Sequence, residues 1–482
     1  MKLTLLTCDG GVEAHQRGET GKSNPRPKRQ PCSHRARANR RIVEMRTVYQ
    51  SAWSERRIDA LALGAALCAV PVSIALAESL LVVALVARIS AAPRLRESEG
   101  VPRVFWFWLP WAGLEAVSWI KSHGAPGSGE LRHLFLIAVL FFLMPALARP
   151  GYRVTVWRAI FVTASAGSLV LVAEFIVRMI RYHPEIAAGI DPSMYLRSGG
   201  LLHHWMIYAV VEILVFAALL EFRATYPEER AWTSAALAIN GLAILVSLTR
   251  ALWLGCLVLL AIHLAWKRSR WICALPLVPA AAFLIAPQPV RYRAVESLQP
   301  DYYSNAERLQ MLSVGWKMIR ERPVFGVGAG RVDALYTSYL PAGEPVPAYH
   351  GHLHNDAVHL AAQFGLPVLG AALLFLAMLG RALLQAYRKA RSREARFLTS
   401  TALLGMVGFL LAGLTDYTYG HSLGLILVSF VALAPLQNVR PPSSRRLDGV
   451  EDFAMEPLDI EPCSPHLSRG AGDGDEPVTI VG

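Results

Sequence analysis

The sequence predicts an all-α polytopic membrane protein of about 12 transmembrane helices, with one large extracytoplasmic loop between spans 9 and 10. Three observations lead there. Of 482 residues, 54% are hydrophobic and 17% charged, with a mean hydropathy of +0.35, far from a soluble composition. Apolar stretches recur from Ile58 to Leu436, each near the roughly 20 residues that a helix needs to cross about 30 Å of hydrocarbon. Lys and Arg are mostly confined to the gaps between those stretches.

Residues 1–57 are polar and basic, with Lys28-Arg29, Arg35, Arg37, Arg40-Arg41 and Arg56-Arg57. The opening Met1-Lys2-Leu3-Thr4-Leu5-Leu6-Thr7 is too short for a signal-peptide core. A basic tail beside a membrane span fixes a cytoplasmic amino terminus, so no nucleic-acid partner is expected. Met45 lies close before the first span and is an alternative start, which N-terminal sequencing of native material distinguishes from Met1. The spans fall near residues 58–72, 74–90, 103–120, 131–148, 154–177, 205–221, 231–248, 251–266, 271–287, 355–379, 397–414 and 420–436. The first two form one apolar run broken only by Pro71 and Glu78.

With the amino terminus inside, every second loop is basic, as the positive-inside rule demands. These loops hold Arg94, Arg96 and Arg103; Arg149 and Arg153; Arg223 and Arg230; Lys267, Arg268 and Arg270; and the run from Arg381 through Arg388, Lys389, Arg391 and Arg393 to Arg396. Residues 58–436 are the transmembrane domain, and 437–482 form an acidic tail expected to be disordered and cytoplasmic. The six cysteines, Cys8, Cys32, Cys68, Cys256, Cys273 and Cys463, show no CxxC spacing, so neither a disulfide framework nor a zinc site is suggested.

The opposite face carries two longer loops, 178–204 and 288–354. They hold Arg197-Ser-Gly-Gly, Arg293 and Arg308, while Arg250 stands at the outer end of a helical hairpin in Ser-Leu-Thr-Arg250. Arginines against the positive-inside bias need a reason, and an anionic ligand is the simplest, since guanidinium forks match phosphate oxygens. Arg178 and Arg181 at a membrane boundary are expected to snorkel to headgroups. Gly326-x-Gly328-x-Gly330 has no strand–helix unit around it and is expected to form a tight turn rather than a phosphate loop. Glu78, Glu115, Glu174 and Glu212 lie within spans, as in the ion pathways of transporters, or else pair with buried polar groups.

The second loop ends in His350-Gly-His352-Leu-His354-Asn355-Asp356 at the mouth of the tenth span. HxHxH supplies imidazoles at close spacing, but the run crosses from loop into helix, so alternate residues do not converge and no metal is expected. His359 is expected to be a packed helix residue.

His354-Asn355, nine further residues, Gly365 and then Gly370 resemble the signature of the O-antigen ligase and O-antigen polymerase superfamily. Arg197-Ser-Gly-Gly, Ser-Leu-Thr-Arg250, and Arg308 followed by Trp316-Lys-Met-Ile-Arg-Glu-Arg-Pro323-Val-Phe-Gly-Val-Gly agree in order and spacing. The resemblance covers Ile58 to Leu436; Val368 departs from the small residue or tyrosine usual there. It implies a bacterial cytoplasmic-membrane enzyme, its site facing the periplasm. The enzyme would transfer a polyprenyl-pyrophosphate-linked glycan to a hydroxyl of a lipid or glycan acceptor, without cofactor or metal. Such chemistry needs a base for the hydroxyl proton and a group to stabilise the departing pyrophosphate. His354 is the expected base, kept neutral by a helix amino terminus and neighbouring arginines. Arg250 and Arg308 are the expected pyrophosphate ligands, followed by Arg197 and Arg293; His352 and Asn355 are secondary candidates. Ligases, polymerases and protein-glycosylating enzymes share these motifs. A polytopic transporter or flippase and a metal-dependent membrane hydrolase are the competing classes, the first expected to show inverted repeats, the second bound metal.

Overall fold

The computed structural model describes residues 57–91, 101–122, 131–149, 151–182, 195–299, 302–347 and 350–437. The two expected tails, save Arg57 and Gln437, lie outside the described residues. Every regular element among the described residues is helical. The first half contains α1 (Arg57–Ala69), α2 (Ile74–Ala91), α3 (Phe105–Lys121), α4 (Arg132–Leu143), α5 (Tyr152–Arg181), α6 (Trp205–Thr225), α7 (Arg230–Val246) and α8 (Arg250–Trp266). The second contains α9 (Leu277–Ile285), α10 (Gln288–Glu296), α11 (Tyr303–Glu321), α12 (Val332–Tyr339), α13 (Asp356–Phe364), α14 (Leu366–Lys389), α15 (Arg393–Gly413) and α16 (Ser422–Leu433).

Five of these, α2, α5, α6, α14 and α15, are long and apolar enough to cross a membrane; α1, α8, and α4 and α16 with their 3-10 extensions are shorter apolar helices. The axis of the bundle is α6, buried without interruption from Tyr208 to Phe222. A helix apolar on all sides belongs inside a bundle rather than at its edge. Helices α7, α8, α15 and α16 pack around it. At one end of the bundle Arg153 pairs with Glu394 at 2.9 Å and Arg393 with Glu228 at 2.8 Å. The 149–153, 223–230 and 381–396 loops, expected on one membrane face, thus meet.

Two expected spans are not continuous helices. Residues 271–287 divide into a 3-10 turn (Arg270–Ala274) and α9, because Pro276 follows the turn and removes a backbone donor. The tenth breaks at Gly365, whose φ of 92° and ψ of 167° lie in a region open essentially to glycine alone. The break is where another segment docks. Val327 N donates to Ala362 O at 2.8 Å, Gly328 N to Gln363 O at 3.0 Å, and Leu366 N to Pro323 O at 2.8 Å. A Cβ on Gly365 would stand 2.1 Å from Val324 O. The glycines at 326, 328 and 330 all have positive φ and form the expected tight turn.

The 288–354 segment is therefore not an open loop. Met311, Val314, Gly315 and Met318 recur at helical spacing and give α11 one buried face. That face, with Tyr336, Leu353 and Ala362, forms a second small core. Gly315 is where α13 approaches α11: a Cβ there would meet the side chains of Val358 and Leu353 at 2.6 and 2.7 Å. Close crossing brings the His354 end of α13 toward the helix that carries Arg308.

Two of the four glutamates expected within spans pair with polar groups. Glu115 accepts from Trp111 at 2.8 Å and meets His133 at 2.9 Å, and Glu174 accepts from Ser198. His359 is fully buried, as expected of a packed helix residue.

Candidate functional site

Each arginine singled out in the sequence is delivered by a different element. Arg197 precedes the 3-10 turn Gly200–Leu202 and lies 4.9 Å from the centre of the Trp205 ring. Arg250 is the first residue of α8, after a turn in which buried Leu248 takes a φ of 57°. Arg293 lies on α10 and Arg308 on α11. All four line one pocket together with Trp205 and Asp416. Burial lowers Arg197 to about 10, with the charges of Arg293 and Arg308 acting in the same sense. Arg308 is also lowered, first by burial, while Asp416 opposes the fall and Arg293 adds to it. Like charges held together out of water are costly unless an anion joins them.

His354 is not among the residues lining this pocket and reaches it through Asp416, which is. Its φ of 46° is uncommon for a residue with a side chain. The next residue, Asn355, is the N-cap of α13, its Oδ1 accepting from Val358 N at 3.0 Å. His354 therefore stands one residue outside the cap, at the amino terminus of α13. Asp416 orients it. Its Oδ1 lies 3.3 Å from His354 Nδ1. Burial alone would raise Asp416, but the hydrogen bond and charge of His354 and the charge of His421 outweigh burial and hold the carboxylate below its ordinary range. An ionised Asp416 accepts from Nδ1 of His354 when that nitrogen carries the proton.

The loop carrying Asp416 is clamped by the two residues after His354. Asn355 Nδ2 donates to Leu414 O at 3.0 Å. Asp356 Oδ1 accepts from Thr418 N at 2.7 Å, and its other oxygen takes the Thr418 hydroxyl. Gly413 leaves room for this, since a Cβ there would stand 2.2 Å from Asp356 Oδ2. The His-Asn-Asp run is thus an imidazole paired with Asp416, followed by two side chains that hold the loop carrying that carboxylate.

The other histidines go elsewhere. His350 Nε2 is 3.4 Å from Asp333 Oδ1, and His352 stacks on Tyr417 at 4.1 Å. Of the two secondary candidates, His352 braces the residue after Asp416, and Asn355 caps a helix; neither lines the arginine pocket. Asp416 was missed in the sequence, where it stands in Thr415-Asp-Tyr-Thr-Tyr419, a five-residue connector between two apolar stretches. Nothing in the sequence sets it apart from other acidic residues of that face, such as Glu307, Asp333 and Glu344.

On the far side of the same connector, Gly413 and Leu414 line an apolar crevice of about 410 Å³, together with Trp111, Phe141, Leu376 and Asp356. The end of α15 separates it from the arginine pocket.

Residues 235–373 match the O-antigen ligase family model. The match covers less than a third of the chain. The match encloses Arg250, Arg293, Arg308 and His354, and supports membership of the O-antigen ligase superfamily. Arg197 on one side and Asp416 on the other lie outside the matched residues, yet fold into the same pocket. No curated protein matches the chain.

Proposed function

We propose that the protein transfers a polyprenyl-pyrophosphate-linked glycan to an acceptor hydroxyl on the periplasmic side of the bacterial cytoplasmic membrane, in the manner of an O-antigen ligase. The observation that carries this reading is the convergence of Arg197, Arg250, Arg293 and Arg308 on one pocket beside the His354–Asp416 pair. The acceptor oxygen attacks the anomeric carbon as His354 Nε2 takes its proton. The new C–O bond forms while the bond from the anomeric carbon to the phosphate oxygen breaks. The electron pair leaves on the lipid pyrophosphate, where guanidinium donors offset the developing charge. The arginines do the work that a divalent cation does in other phosphate-releasing enzymes, so transfer should persist in the presence of a chelator.

The apolar crevice across the connector has the chemistry to hold a lipid chain, which supports lipid-borne substrates. Deletion in the native host, followed by gel analysis of surface glycans, tests the function. Loss of long chains with accumulation of lipid-linked polymer supports a ligase. Single repeat units on the acceptor would make the protein a polymerase of the same superfamily, and an unchanged glycan profile would overturn both.

A further inference from the structure

The arginine pocket encloses about 30 Å³, room for roughly two waters. A pyrophosphate is larger, so part of it must be met by groups beyond the lining. His204 is such a group. It is the N-cap of α6 and is half-buried. A Cβ on Gly199 would stand 2.5 Å from His204 N, so the chain folds back this tightly only because residue 199 has no side chain. The His204 ring stacks on that of Trp205, with centres 4.5 Å apart and planes 21° apart. Trp205 itself lines the pocket and carries the Arg197 guanidinium at 4.9 Å. His204 Nδ1 accepts the backbone N–H of Met206 at 3.3 Å. An amide N–H only donates, so a neutral ring in this bond carries its proton on Nε2. Burial lowers the His204 pKa; Asp416 opposes the fall, and Arg197 and His354 add to it, which keeps the ring neutral at pH 7. Among the described residues nothing accepts from Nε2, and that nitrogen is not buried.

We propose that His204 is a further ligand of the lipid pyrophosphate, donating from Nε2 to a phosphate oxygen beside Arg197. This rests on the reading of the pocket as a pyrophosphate site. A neutral donor suits the place. A cation there would repel Arg197, whereas an imidazole N–H adds a hydrogen bond to an ionised acceptor without adding charge. The ring is also fixed before the ligand arrives. The capping bond holds Nδ1 and the indole holds the plane, so little ordering is left for the binding step. Capping alone would be a structural role, and the choice of replacement separates it from ligand binding. Asparagine places an oxygen where Nδ1 stands, and is among the best N-caps, but stops short of Nε2. Glutamine places an N–H near Nε2 and leaves the place of Nδ1 empty.

Binding of inorganic pyrophosphate to the purified full-length protein in lipid nanodiscs tests this, with thermal unfolding measured alongside. The variants are His204→Asn, His204→Gln and Arg250→Ala. His204→Asn should unfold as wild type does yet bind about tenfold more weakly, and His204→Gln should bind within about threefold of wild type. Wild-type affinity in His204→Asn, or equal losses in His204→Asn and His204→Gln, overturns the role of His204; with Arg250→Ala impaired, the pyrophosphate site is left standing. Wild-type protein that does not bind pyrophosphate, or Arg250→Ala that binds as wild type does, overturns the site itself.

Discussion

Arg250 donates from two different nitrogens to two different side chains, Asn305 and Ser304. An ammonium carries its donors on a single atom and cannot span that pair. Arg250→Lys should therefore lose transfer activity by about tenfold or more although the charge is kept, read as initial rates on equal amounts of membrane-inserted protein. Asp416 is the second residue on which the account depends. Asp416→Asn keeps the shape but can present its amide nitrogen to Nδ1, stabilising the wrong tautomer of His354. A fall in turnover of about two orders of magnitude, with little change in KM, is expected. The arginines were legible in the sequence because they stand on a face where the positive-inside rule expects few basic residues. Asp416 was not, since its meaning comes only from a partner 62 positions away.

At the scale of elements, the break between α13 and α14 holds the site in place. It receives the Pro323–Gly330 turn, and that turn continues from α11, which carries Arg308. Gly365→Ala must adopt a backbone conformation closed to alanine while meeting Val324 O. Destabilisation of at least about 2 kcal/mol is expected in thermal unfolding of the detergent-purified protein. Gly370→Ala, a few residues along α14, has nothing within 4 Å of the added carbon and should unfold as wild type does. Equal unfolding of both variants would contradict the role of the break. Hydrophobic runs place a helix across 355–379, but a run of apolar residues has the same appearance whether or not the helix is interrupted. The tight turn was legible as a turn; its docking site was not.

For the whole molecule, the apolar stretches and the alternation of basic loops predict a polytopic bundle, and the loops expected on one face do meet at one end. Lipid-crossing length is met by five helices among the described residues. The expected count of about twelve also includes apolar segments whose helices, such as α1, α4, α8 and α16, are shorter than those five. Sidedness follows from the proposed function and is open to test. In a variant lacking the native cysteines, Glu344→Cys should react with a membrane-impermeant thiol reagent on cells whose outer membrane alone is opened. Arg391→Cys should react only after the cytoplasmic membrane is permeabilised. Both side chains are exposed in the native protein, so failure to label reflects the membrane and not burial. The reverse pattern would put the arginine pocket on the cytoplasmic face.

The most direct test is transfer itself. Purified protein in liposomes is given a polyprenyl-pyrophosphate-linked glycan and a hydroxyl-bearing lipid acceptor, and the initial rate of glycan transfer is compared for wild type and His354→Ala. Wild type should transfer in the presence of a chelator, and a folded His354→Ala protein should be slower by about 10²- to 10⁴-fold. Wild-type rates from His354→Ala, or no transfer by the wild-type protein, would contradict it.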